Sequence, residues 1–172
     1  VETCPHYLCF AAEDLPDGDP RCKCAPPIRS ARHREALWSA LGDGIIDLIA
    51  SDHSPAPPER KTGSLMSAWG GIASLQVSLA AIWTEARRRG FGLDEVAHWM
   101  STAPAARLGL EGKGRIATGR DADLVVFDPE ATWTVRGTEL EHRHPETLYE
   151  GCRLDGTVLR VLVGGRDRHP FG

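Results

Sequence analysis

Three features are missing from this 172-residue sequence, and each absence excludes a class of protein. No stretch approaches the roughly 18 consecutive apolar residues of a membrane-spanning helix, so no insertion into a membrane is expected. Positive charge is not in excess, because the formal net charge is −4, and a general attraction to nucleic acid is not expected either. The first residues lack the basic segment and apolar run of a secretory signal. We therefore expect a globular, cytoplasmic protein.

The cysteines also argue against secretion. Their number is odd, so they do not suggest a disulfide framework, and reduced thiols are expected: Cys4, Cys9, Cys22, Cys24 and Cys152. Cys22-x-Cys24 resembles half of a structural zinc site, but the second Cys or His pair that such sites need does not follow. The sequence begins at Val1, inside a dense motif, and we expect that further residues precede it in the intact protein.

The hydrophobic pattern predicts an α/β region followed by a small β unit. The apolar run Ile45–Ala50 fits a strand that is buried on both faces, and it ends in a polar cluster that begins at Ser51. Helices are expected at 31–41, 68–89, 94–101 and 104–108. After Gly114, strands are expected at 123–128 and 158–163, with no helix between them.

Two polar clusters could carry chemistry. His6 follows Cys4-Pro5, and Asp52-His53 stands at the end of the buried strand, the place where α/β barrels hold their active sites. Imidazole and carboxylate are good ligands for a divalent metal such as zinc, although a lone histidine is more often a structural hydrogen-bonding group. His142-x-His144 also has a metal-binding spacing, but no apolar residues frame it, and we expect an exposed loop there.

Several motifs occur in an order that resembles the second half of an allantoinase, within the amidohydrolase superfamily. The resemblance covers essentially the whole chain. The Gly-x-Asp-Ala-Asp-Leu element is common to the superfamily, whereas the Cys-Pro-His-Tyr, Ser-Asp-His-Ser-Pro and Trp-Gly-Gly-Ile elements favour allantoinases over dihydroorotases and dihydropyrimidinases. The motifs lie at 2–7, 23–29, 51–55, 68–73 and 113–124.

The resemblance implies an α/β fold: the C-terminal part of a TIM-like (β/α)8 barrel in residues 1–112, and part of a small β-sandwich domain in residues 113–172. It also implies a binuclear metal centre with two zinc ions, for which cobalt, manganese or iron could substitute. His6 and Asp52 match two of the family's metal ligands. The remaining ligands, a His-x-His pair, a carboxylated lysine and a further histidine, have no counterpart in this sequence.

The same resemblance implies roles in catalysis. Asp52 would be the catalytic proton carrier, and the substrate would be held by His53, Ser54, Ala25 and Gly70. Ala56 stands where allantoinases usually have cysteine, and the resemblance implies little effect on metal binding from that change.

The expected function is therefore the hydrolysis of a cyclic ureide, allantoin to allantoate in purine catabolism, by a homotetrameric enzyme. One alternative is another cyclic amidase of the hydantoinase, dihydropyrimidinase or dihydroorotase type. An alternative of a different class is a truncated, non-catalytic remnant. Because much of the ligand set and of the barrel is missing, we expect the isolated chain to be neither a stable monomer nor an active enzyme.

Overall fold

The computed structural model describes residues 1–168, and it contains two small sheets with five α-helices around them. The α-helices are α1 Pro5–Cys9, α2 Ala31–Gly42, α3 Ser78–Arg88, α4 Leu93–Ala97 and α5 Ala103–Arg107. A π-helical turn, His98–Thr102, joins α4 to α5. The strands are β1 Glu2–Thr3, β2 Leu48–Ile49, β3 Leu124–Thr134, β4 Arg153–Val163 and β5 Arg166–Asp167.

None of the helices in the described part of the chain is long and apolar enough to cross a membrane.

The first sheet consists of β1 and β2, which pair in parallel although more than 40 residues separate them. Glu2 lies opposite Leu48 and Thr3 opposite Ile49. Parallel strands need a crossover connection, and here α1 and α2 lie within it. The chain segments that leave both strands consequently start from the same edge of the sheet.

The first of two hydrophobic clusters packs around Trp38 of α2. The Trp38 indole N–H donates to the carbonyl oxygen of Leu8 at 2.9 Å, which satisfies its polar atom within the core. Arg89 covers the same ring, with its guanidinium carbon 4.9 Å from the ring centroid, and it pairs with Glu35 and Glu85. These contacts connect the C-terminal end of α3 to α2.

The second cluster joins α3 to the antiparallel sheet β3–β4–β5. The fully buried Tyr149 and Val135 pack in one cluster with Ala80 and Ala81 of α3. The sheet follows the predicted small β unit, and β3 and β4 are each longer than the sequence suggested. Only this one sheet is present in the described residues after 113, so the second layer of a sandwich and the domain boundary at 112/113 stay predictions.

Two sequence predictions about secondary structure were wrong in extent. The helix expected from residue 68 begins only at Ser78, because Gly71 has a positive φ of 151° and Ile72 forms a parallel bridge to His53. The strand expected over Ile45–Ala50 shortens to β2, and Ile45 is 66% exposed.

The β3–β4 sheet depends on a glycine that no other residue can replace without strain. Gly156 has φ +89°, and a Cβ atom there would lie 2.1 Å from Cζ of Phe127. We expect Gly156→Ala to lower the free energy of unfolding by about 1–2 kcal/mol for the left-handed backbone and by a further ~1–3 kcal/mol for the clash. Gly119→Ala is the matched control, because Gly119 has φ +81° and no atom within 4 Å of its Cβ position. Equal losses in urea denaturation of the two variants would contradict this account.

Candidate metal centre

His6 lies at the edge of the first sheet where both strands end, and its side chain makes no hydrogen bond within the described residues. It lies in the first turn of α1, directly after β1, where Pro5 can start the helix because an N–H is not needed there. The side chain is fully buried, yet neither Nδ1 nor Nε2 has a hydrogen-bond partner within residues 1–168. Buried polar atoms are nearly always satisfied, so an unpartnered imidazole points to a missing ligand.

Asp52 follows β2 at the same edge and faces His6. Its Oδ2 lies 3.7 Å from Nε2 of His6, and its side chain is about half exposed, at 49%. Asp52 also has φ 45°, the only positive φ at a non-glycine residue in the described part of the chain. Such strain is found most often at functional sites, where the surrounding structure imposes it.

Cys4, which was not among the predicted ligands, completes a group of three possible ligands. Single donor atoms of Cys4, His6 and Asp52 all lie within 4.8 Å of one another. Cys4 and Asp52 line a cavity of about 660 Å³, together with Tyr7 and Ala25. The signal that could have identified Cys4 is its position two residues before His6, at the end of the same strand.

The electrostatics of the group suit a divalent cation. Burial lowers the pKa of His6 to about 4, although the Asp52 carboxylate opposes this shift, and the imidazole is therefore in the neutral form that binds metals. Burial, followed by the charge of Asp52, raises the pKa of the Cys4 thiol to about 12. The Cys4 thiol is therefore protonated at neutral pH, and only its thiolate form binds a metal. The neutral nitrogen of His6 and the carboxylate of Asp52 are the two donors that fit a divalent metal ion without losing a proton.

His53 is held in place by hydrogen bonds to another segment of the chain. Its Nδ1 accepts backbone N–H bonds from Ser74 at 3.0 Å and Leu75 at 3.1 Å, which assigns the ring proton to Nε2. His53 therefore stays next to Asp52 in the chain, but its Nδ1 is occupied by these two backbone hydrogen bonds.

The prediction for His142 needs correction. His142 does lie in a loop, but it is half-buried rather than exposed, and its ring centroid is 4.8 Å from that of His53. Sequence spacing could not show this contact, because it joins segments almost 90 residues apart.

The remaining predicted residues lie in loop segments, and one of them reaches the cavity that Cys4 and Asp52 line. Ala25 lines it, whereas Gly70 lies on a neighbouring loop against the side chain of Lys23. Ser54 donates its N–H to the carbonyl oxygen of Ile72 at 3.0 Å. A Cβ atom on Gly71 would lie 2.4 Å from Oγ of Ser54, so this close approach requires glycine.

Lys61 joins these loops through the hydrogen bonds of its side chain, a role that the sequence did not reveal. Its side chain is buried, and Nζ donates to the carbonyl oxygens of Arg21 at 3.4 Å, Lys23 at 3.4 Å and Gly71. Burial lowers the pKa of the Lys61 ammonium group. The contacts hold the loop that leads to Ala25 and the loop that carries Gly70 in one arrangement.

The chain is similar to known proteins in sequence and in fold. Residues 6–167 match the sequence model described as "Amidohydrolase family". The chain is 49% identical to an allantoinase of Streptomyces avermitilis over 179 aligned positions, and 48% identical to an allantoinase of Arabidopsis thaliana over 170. Among solved structures it is similar to the L-hydantoinase (dihydropyrimidinase) of Arthrobacter aurescens, with a TM-score of 0.91 and 30% identity.

The matches cover nearly all of this chain but a minor part of each relative. They include 100% of the chain and 40% of the Streptomyces protein, and 96% of the chain and 34% of the Arabidopsis protein. The hydantoinase match covers 96% of the chain and 38% of that structure. The chain thus spans well under half the length of the relatives that it matches.

The role of Lys61 leads to a test by substitution. We expect Lys61→Met to lower the free energy of unfolding by about 1–3 kcal/mol, because buried carbonyl oxygens would lose their donor. Lys113→Met is the control, because Lys113 is an exposed lysine paired with Asp121 and Asp123, and exposed ion pairs contribute little to stability. The measurement is urea denaturation of both variants. A smaller loss for Lys61→Met than for Lys113→Met would rule out the proposed role.

Proposed function

The chain belongs to the amidohydrolase family, and we propose that it forms part of a metal-dependent active site that hydrolyses allantoin to allantoate. The observation that carries the proposal is the unpartnered, buried imidazole of His6 beside the Asp52 carboxylate. The relatives named allantoinase, at 49% and 48% identity, support allantoin as the substrate. Hydantoin-type rings are the second candidate, because the structural relative at 30% identity is described as a hydantoinase.

In this proposal β1 and β2 belong to the C-terminal part of a (β/α)8 barrel, where active sites form at the carboxyl ends of the strands. Residues from 113 onward would form part of a small β domain. His6 and Asp52 would hold divalent metal, zinc in the first instance, and the other ligands of a two-metal centre would come from outside this chain. The bound metal would polarise the ring carbonyl and make a water molecule more acidic.

Asp52 is the proton carrier of the proposed mechanism. Its carboxylate can accept the proton of the attacking water and return that proton to the ring nitrogen that leaves when the amide bond breaks. The exposure of Asp52 toward the cavity gives substrate access to this group. His53, with its proton on Nε2, can donate a hydrogen bond to a ring carbonyl, and Ser54 and the backbone near Ala25 and Gly70 would hold the ring's amide groups.

The substrate assignment can be tested in a chimera. This chain would replace the matching segment of the Streptomyces avermitilis relative, so that the residues it lacks are supplied. We expect a higher kcat/KM for allantoin than for dihydroorotate or dihydrouracil, because the closer sequence similarity is to allantoinases. The unmodified Streptomyces protein is the control. Preference for either of the other two rings would remove the allantoin assignment and leave the amidohydrolase family unaffected.

The role of Asp52 can be tested in the same chimera. We expect Asp52→Asn to lower kcat by at least ~10²-fold, because the amide keeps the shape of the side chain but cannot accept the proton. His53→Asn should be milder, since an amide oxygen can take over the hydrogen bonds that Nδ1 receives from Ser74 and Leu75. Steady-state kinetics at saturating metal give both values. Near-normal kcat in Asp52→Asn would mean that another group carries the proton.

A further inference from the structure

We propose that Tyr7 is a positioning residue, whose hydroxyl fixes the loop 24–28 so that the backbone at Ala25 can hold the substrate ring. Tyr7 lies in α1 and lines the same cavity as Ala25 and Asp52. Its hydroxyl donates a hydrogen bond of 2.7 Å to the carbonyl oxygen of Pro26. The role in substrate binding rests on the proposed function, whereas the hold on the loop does not depend on turnover.

The middle of the loop 24–28 has few ways to be anchored. Pro26 and Pro27 carry no backbone N–H, so neither can donate a hydrogen bond to a neighbouring segment. Ala25, Pro26 and Pro27 are also exposed, so packing contributes little to their position. A carbonyl oxygen is the polar group by which this stretch can be fixed, and Pro26 offers its carbonyl oxygen to Tyr7.

The two ends of the loop are held by backbone hydrogen bonds to other segments. On one side, the carbonyl oxygen of Lys23 accepts from the N–H of Gly71 at 2.9 Å. On the other side, the carbonyl oxygen of Arg29 accepts from the N–H of Ala12 at 2.9 Å. Loss of the Tyr7 hydroxyl should therefore loosen the centre of the loop while its ends stay attached.

The ring of Tyr7 determines where the hydroxyl lies. It packs edge-on against the imidazole of His6, with ring centroids 4.2 Å apart and an angle of 61° between the ring planes. Since His6 is fully buried, its ring is a rigid support for that contact. Tyr7 consequently connects the candidate metal centre to the loop, and the position of a substrate held at Ala25 would be set relative to His6 through this one side chain.

The effect on substrate binding can be tested with Tyr7→Phe in the chimera with the Streptomyces relative. Phenylalanine keeps the ring beside His6 and removes only the oxygen that bonds to Pro26. The loop must then be ordered when substrate binds, and that loss is shared by the bound substrate and the transition state. We expect KM for allantoin to rise about 3- to 10-fold, the effect of one hydrogen bond, with kcat changed by less than about twofold. The metal content should not change.

Tyr149→Phe is the matched control, because it removes the same hydroxyl from the other tyrosine of the chain. Tyr149 is buried in the second cluster and does not line this cavity. We expect its KM and kcat to stay within about twofold of the unsubstituted chimera. The proposal is overturned if KM does not rise in Tyr7→Phe, if kcat falls by more than KM rises, or if Tyr149→Phe raises KM equally.

The thiol of Cys24 reports on the loop in the 172-residue protein without any turnover. Its Sγ lies 3.3 Å from the carbonyl oxygen of Pro26, and the residue is 6% exposed. Burial raises the pKa of this thiol, and the Tyr7 hydroxyl opposes the shift. Loss of the hydroxyl would by itself leave less thiolate and slow alkylation, so faster alkylation in Tyr7→Phe reports opening of the loop.

We expect iodoacetamide to label Cys24 about 3- to 10-fold faster in Tyr7→Phe than in the wild-type protein, by mass spectrometry of the labelled peptides, with the rate at Cys152 unchanged. Equal rates at Cys24 in the two proteins, or a parallel rise at Cys152, would overturn the hold of Tyr7 on the loop. A chimera that does not hydrolyse allantoin would refute the proposed function, and the labelling rates would still decide whether Tyr7 fixes the loop.

Discussion

The parallel pairing of β1 with β2 is the constraint on which the candidate site depends. Two residues on each strand are enough, because the hydrogen bonds from Ala50 N–H to the Thr3 carbonyl and from Asp47 N–H to the Val1 carbonyl extend the pairing on both sides. Without that register, the imidazole that follows β1 and the carboxylate that follows β2 would belong to unrelated surfaces. The helices around Trp38 support the pairing, since they pack in one cluster with Ile49 of β2.

His6 and His53 show how hydrogen bonding separates two histidines that lie near the same carboxylate. His53 accepts two backbone N–H bonds at one nitrogen, and its position is thereby set by the turn at Ser74. His6 is buried more deeply and receives no such bond within the described residues. From burial alone, His6 would be taken as the structural histidine of the two. The missing hydrogen bonds at both of its ring nitrogens indicate a ligand-binding role instead.

Local sequence was sufficient for features that depend on neighbouring residues. α2, the β unit and the position of Asp52 at a strand end could be predicted, because periodicity, turn residues and motif order determine them. The false helix start at residue 68 had a long-range cause, the close approach of Gly71 to Ser54. The contact between His142 and His53 was missed for the same reason, since it joins distant segments that carry no shared pattern.

The hydrogen bonds of Lys61 have a consequence for how the loops that it joins can move. One ammonium group serves the carbonyl oxygens of Arg21, Lys23 and Gly71, so these segments share a single donor. If one segment swings outward, water reaches the ammonium group, and a hydrated ammonium group loses less when the next segment leaves. Local unfolding of these loops should therefore be cooperative, with the segments opening together as one unit on a single timescale.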